Sequence, residues 1–162
     1  AVLKDLDMAL VRLSAARAGE GKKLGEVLAQ RLSEIETLTA RAETLAALQP
    51  QAIQERLKKN VAALLEAAPS MSSDRLAQEV AMLAAKADVR EELDRLKAHV
   101  AQARELLADG ANVGRRLDFL CQEFNREANT LCSKSEGVEL TRVGLDLKVS
   151  VEQFREQIQN IE

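Results

Sequence analysis

The carboxy-terminal segment constrains the fold more than any other feature of the chain. Leu140, Val143, Leu147, Val151, Phe154, Ile158 and Ile161 recur at steps of three and four. That spacing lines them along one stripe of an α-helix, whereas a strand alternates with period two. A stripe this long needs a partner helix to cover it. The amino-terminal end repeats the pattern with Leu3, Leu6, Leu10 and Leu13. Continued, the same beat passes Arg17, Glu20, Leu24, Val27 or Leu28, Arg31, Ile35, Leu38, Ala42 and Leu45.

With two Pro and seven Gly in 162 residues, little interrupts the helix formers that dominate the chain. The expected fold is all-α, a single helical domain over 1–162. Long antiparallel helices would form an elongated bundle or hairpin with coiled-coil-like seams. Gly19 and Gly21 allow a bend in the first helix; a continuous helix is the alternative. If it is continuous, Arg17 and Glu20 form a polar seam turned toward partner helices, with "QEFNRE" the natural one. Pro50 predicts the first turn of a second helix over 50–67, striped by Ile53, Leu57, Val61 and Leu64. Ser72 or Ser73 predicts the cap of a third, running to about Ala108. Its inward positions are Leu76, Val80, Leu83, Ala87, Leu93, Leu96, Val100, Ala103 and Leu107. "DGANVG" and "SKSEG" predict the next two breaks.

Charge and composition exclude several functions. The formal net charge is −3, so binding to nucleic acid must rest on a local basic patch or on metal ions. Phe119, Phe124 and Phe154 are the only aromatics, which argues against a base-stacking platform of the kind single-strand binders use. No apolar run reaches membrane-spanning length and no signal peptide is visible. The chain opens "AVLKDLDMAL", already helical in pattern, which suggests a longer parent. Cys121 and Cys132 sit on one helix about 16 Å apart, too far to bridge, and are expected as reduced thiols of a cytoplasmic protein.

Two polar constellations stand out. In "DVREELDRLKAH", Asp88, Glu92, Arg95 and the sole histidine, His99, form one line up a helix face. The line fits a salt-bridge ladder on a solvated helix; it also fits a site for a divalent metal or a general acid–base imidazole. In "GRRLDFLCQEFNREANTLCSKS", the apolar face is Leu117, Leu120, Cys121, Phe124, Ala128 and Leu131. One shoulder carries Asp118, Gln122, Asn125 and Asn129; the other carries Arg116, Glu123 and Glu127. Asn is a poor helix-interior residue, so either interhelical hydrogen bonds or a ligand should repay its cost. Glu123 and Glu127, four apart, can share a metal ion. Arg115, Arg116, Arg126 and Lys134 are the local cations that can track a phosphate backbone.

These same segments, with the closing "LDLKVSVEQFREQIQNIE", resemble the carboxy-terminal half of the YicC-like endoribonuclease family. "ARAGEGKKL" is similar to that family's "RExEGxxL" segment, with Ala18 where Glu is frequent. The resemblance implies a metal-dependent endoribonuclease acting on single-stranded RNA, assembled as a ring-like homo-oligomer, a hexamer. It also implies an amino-terminal domain rich in β structure that is not in this chain. Residues carried over are Arg17, Glu20, Glu91, Glu92, Arg95, His99, Arg115, Asp118, Gln122, Glu123, Asn125, Arg126, Glu127, Asn129, Lys134 and Ser135. On this basis Glu92, Glu123 and Glu127 are the expected ligands of Mg²⁺ or Mn²⁺, and His99 joins them as the expected catalytic group. Arg115, Arg116, Arg126, Lys134, Asn125 and Asn129 are the expected RNA contacts. The rival is a helical oligomerisation or scaffold module without chemistry; metal binding at the polar shoulder separates the two.

Overall fold

In a computed structural model, residues 2–67, 78, 81, 82, 85, 88–110, 113–135 and 137–161 are described, without the side chains of 49–52, 54, 57, 58 and 61–67. Four helices account for nearly all of them: α1 (Val2–Ala67), α2 (Arg90–Asp109), α3 (Gly114–Lys134) and α4 (Val138–Ile158). The all-α expectation holds, and α1 alone has 66 residues.

The helix does not break at Gly19, Gly21 or Pro50. Pro50 therefore does not open a second helix. It lacks one amide donor, but strong helix formers on both sides carry propagation through it. Ile53 is buried as expected, while the rest of that stripe, Leu57, Val61 and Leu64, lies outside the described side chains. Ser72, Ser73, Leu76, Val80, Leu83 and Ala87 also lie outside the described residues. The expected long third helix is interrupted at Asp88 and Val89, so α2 starts only at Arg90. The cause is local. Asp88 Oδ1 accepts the Arg90 backbone N–H at 3.0 Å, and its carboxylate also binds the Arg90 guanidinium. Such a side-chain acceptor competes with helix continuation. Gly110 ends α2 as expected, at φ 69° with its N–H on Leu106 O.

Each helix packs against two neighbours in the cyclic order α1, α2, α3, α4. Lys97 pairs with Glu43 and Arg104 with Glu36, so numbers rise on α2 as they fall on α1. Lys134 meets Glu92 while Arg116 meets Asp109, and Arg155 meets Asp118 while Cys132 meets Thr141. All three successive pairs are thus antiparallel, giving an up-down-up-down bundle. Its core joins Leu28, Leu32 and Ile35 of α1 to the full predicted faces of α3 and α4. On α2, Leu106 is buried and the expected Leu107 is only partly so. At Gly144 of α4, an added Cβ would lie 2.5 Å from Cys132 Sγ, so α3 and α4 approach closely there.

Residues 2–23 of α1 are exposed throughout. That includes Arg17 and Glu20, which corrects the expectation that they turn into the bundle: burial of α1 begins only at Leu24. No helix among the described residues is long and apolar enough to cross a membrane.

Candidate metal and RNA site

The site lies where α2 and α3 face each other. Both helices carry a polar line next to an apolar stripe. The short 110–113 connection makes them antiparallel neighbours, so the two lines meet. One donor atom each from His99, Glu123 and Glu127 lies within 4.8 Å of the others. Glu127 is buried, while His99 and Glu123 are half-buried. The His99 ring stands edge-on to Phe124 at 5.7 Å between centroids, which steadies it against the core.

Arg95, one turn before His99, flanks the cluster. Its Nε is 2.9 Å from Glu127 Oε1, although the N–H is not aimed at that oxygen. The same guanidinium reaches Glu91 and Glu92. The Glu127 carboxylate, above all, favours the cationic form of Arg95. Its companion oxygen, Glu127 Oε2, and His99 Nε2 are buried with no hydrogen-bond partner among the described residues. Leaving such atoms unpaired costs about 1–3 kcal/mol each, so a ligand or water is called for. Two carboxylates and an imidazole suit Mn²⁺ and also accept Mg²⁺. The donors must draw together by up to about 2 Å, since neighbouring ligands on such an ion stand about 3 Å apart. The residues fit a divalent cation.

Glu92 does not join this cluster. It sits two turns before His99, about 10 Å along the helix. There its buried carboxylate takes Lys134 Nζ at 2.9 Å and Arg95 at 3.3 Å. Lys134, expected on RNA, also donates to the Asp88 carbonyl, and so clasps the start of α2 to the end of α3. Asp88 is occupied too: the hydrogen bond from the Arg90 side chain holds its carboxyl down at about 2.

The Asp118 shoulder is divided. Asp118 accepts from Arg155 of α4 at 2.8 Å and from Gln122 at 3.2 Å, and the Arg155 bond lowers its carboxyl pKa. That end is a register device. Asn125 is half-buried and Asn129 exposed, and neither is hydrogen-bonded through its side chain among the described residues. Arg115, Arg116 and Arg126 are all exposed; among the described residues, Arg116 and Arg126 have only long contacts, to Asp109 at 4.0 Å and Glu123 at 3.8 Å. Both thiols are free, and burial pushes Cys121 up to about 12, which makes it inert packing. A groove of about 330 Å³ between α1 and α2 holds none of the cluster, and its Lys97 and Arg104 are paired to glutamates.

Residues 42–162 match the family described as "Endoribonuclease YicC-like, C-terminal". The chain belongs to the YicC-like endoribonuclease family. It is similar to the "Probable endoribonuclease YicC" of Haemophilus influenzae, 44% identical over 99% of this chain and 55% of that protein. The protein of the same name from Clostridioides difficile is 38% identical over 95% of this chain and 53% of its own length. The chain thus spans about half the length of these curated YicC relatives. The contact of Arg95 with Glu127 is not among the sequence-based expectations. The signal was available: Arg95 lies four residues before His99 on the same polar line.

Proposed function

We propose that this chain is the helical half of a cytoplasmic, metal-dependent endoribonuclease that cuts single-stranded RNA. The observation that carries the reading is the pair of buried, unpartnered atoms, Glu127 Oε2 and His99 Nε2, beside Glu123. Relatives bearing the endoribonuclease name support the choice of substrate.

In this reading Glu123, Glu127 and His99 hold Mg²⁺ or Mn²⁺. Bound there, the ion supplies Lewis-acid polarisation of a phosphoryl oxygen and a more acidic bound water. Arg95 fixes the Glu127 carboxylate by one oxygen and leaves the other to face the site. The Phe124 contact keeps the His99 ring in place. Arg115, Arg116 and Arg126 engage the phosphate backbone, with Asn125 and Asn129 as further polar contacts. The parent assembles as a ring-like homo-oligomer, a hexamer, with the exposed Leu3–Leu13 stripe of α1 among its covered surfaces.

A scaffold without chemistry is the second reading, and that exposed stripe favours it. The deciding experiment is cleavage of single-stranded RNA by the full-length parent with and without EDTA. Glu123→Gln and Glu127→Gln are expected to abolish EDTA-sensitive cleavage while helicity and assembly size stay unchanged. Parent-level cleavage by both variants would reduce the carboxylates to packing devices.

A further inference from the structure

Two of the three aromatic side chains, Phe124 and Phe154, are fully buried, but Phe119 is 60% exposed. It lies on α3, one turn and about 6 Å before Glu123. At 100° per residue, Glu123 lies about 40° to one side of Phe119 on the helix surface, and Arg126 and Arg115 lie about 20° and about 40° to the other side. Arg116 is close by, at about 60°. An exposed phenyl ring therefore stands among three exposed arginines, beside the cluster in which Glu127 Oε2 and His99 Nε2 are buried without partners among the described residues.

Lone surface apolar residues are common and mean little by themselves. This one is set apart by its surroundings. Single-strand readers combine cations that follow the backbone with an aromatic face on which a base stacks. Both parts are present here within about three helical turns of α3. A second copy of the chain could also cover a phenyl ring, but three arginines around it favour a polyanion over a like-charged twin surface.

We infer that Phe119 is a base-stacking platform, holding the nucleobase next to the phosphate that enters the His99–Glu123–Glu127 cluster. The inference rests on the RNA reading above and adds a residue that positions the substrate by its base. Because every base has a π-face, the contact confers purchase on unpaired strands without strong sequence preference.

The test measures binding of a fluorescein-labelled 12-nucleotide single-stranded RNA to the full-length protein by anisotropy in EDTA. Phe119→Leu is expected to weaken binding about tenfold, the effect of losing one base–aromatic stack, and Phe119→Trp to retain it. An abasic site placed at successive positions should weaken wild-type binding at one position by a similar factor and leave Phe119→Leu indifferent there. If wild type binds and Phe119→Leu binds equally well, the platform is refuted while the RNA reading stands. If wild type fails to bind RNA at all, both fall. If Phe119→Leu changes the mass of the assembly, the ring is a contact between copies and the inference is overturned.

Discussion

In α4, Leu140, Val143, Leu147, Val151, Phe154 and Ile158 are all buried, whereas Leu3, Leu6, Leu10 and Leu13 of α1, spaced the same way, are 54–78% exposed. The difference does not lie in the helices themselves, which are both continuous. It lies in what each stripe can reach. The connection between α3 and α4 is short, and α4 packs back onto α3 and closes the ring against α1. Nothing described in this chain comes back to residues 2–23. Periodicity specifies an apolar face; connectivity specifies whether the same chain covers it.

The two stripes should differ most in what a deleted side chain costs. Phe154→Ala should cost about 3–5 kcal/mol of unfolding free energy, as for other buried aromatics. In this 162-residue chain, below the concentration at which it assembles, Leu10→Ala should stay within about 0.5 kcal/mol, as at an exposed site. Urea unfolding of the two variants checks this; comparable losses would mean that the arm is covered.

Ion pairs sharpen it further. Lys134→Met removes a partner from Glu92, which is 2% exposed, and is expected to cost about 3 kcal/mol. Lys97→Met removes a pair in which both partners are about half exposed, and should cost under about 1 kcal/mol. Equal losses would show that the Glu92 clasp is no stronger than a surface pair.

The smallest effect concerns Asp88. Its carboxyl is depressed from an ordinary value near 3.8 to about 2 by Arg90. A depressed carboxyl contributes stability that is present above the unfolded value and is lost as pH falls through the folded one. Asp118, lowered by Arg155, acts in the same direction. Stability should therefore drop between about pH 4 and pH 2, and Asp88→Asn should lessen the slope. A carboxyl titration of Asp88 at its ordinary value would remove this cause.

Faces within a helix were legible, because 100° per residue follows from the sequence alone. Every expected apolar position of α3 and α4 up to Ile158 is buried. Boundaries were less so: Pro50 looked like a start and Asp88 like helix interior. One lost amide bond is overridden by good flanking formers, while a carboxylate that captures the next N–H is not. Contacts across helices depend on register, which loop length and packing decide jointly. Glu92 therefore read as a ligand on its face, yet it lies two turns from His99 and meets Lys134. The exposure of Phe119 was legible too, since at 100° per residue it lies about 150° from the middle of the apolar face of α3.

If His99, Glu123 and Glu127 form one divalent-cation site, Mn²⁺ reports on it. Titrating Mn²⁺ into the full-length protein, with free ion followed by electron paramagnetic resonance, should show one site per chain. Glu127→Gln should weaken that site at least tenfold without loss of helicity. Retention of the same site, at the same affinity, by both Glu127→Gln and His99→Ala would contradict the account.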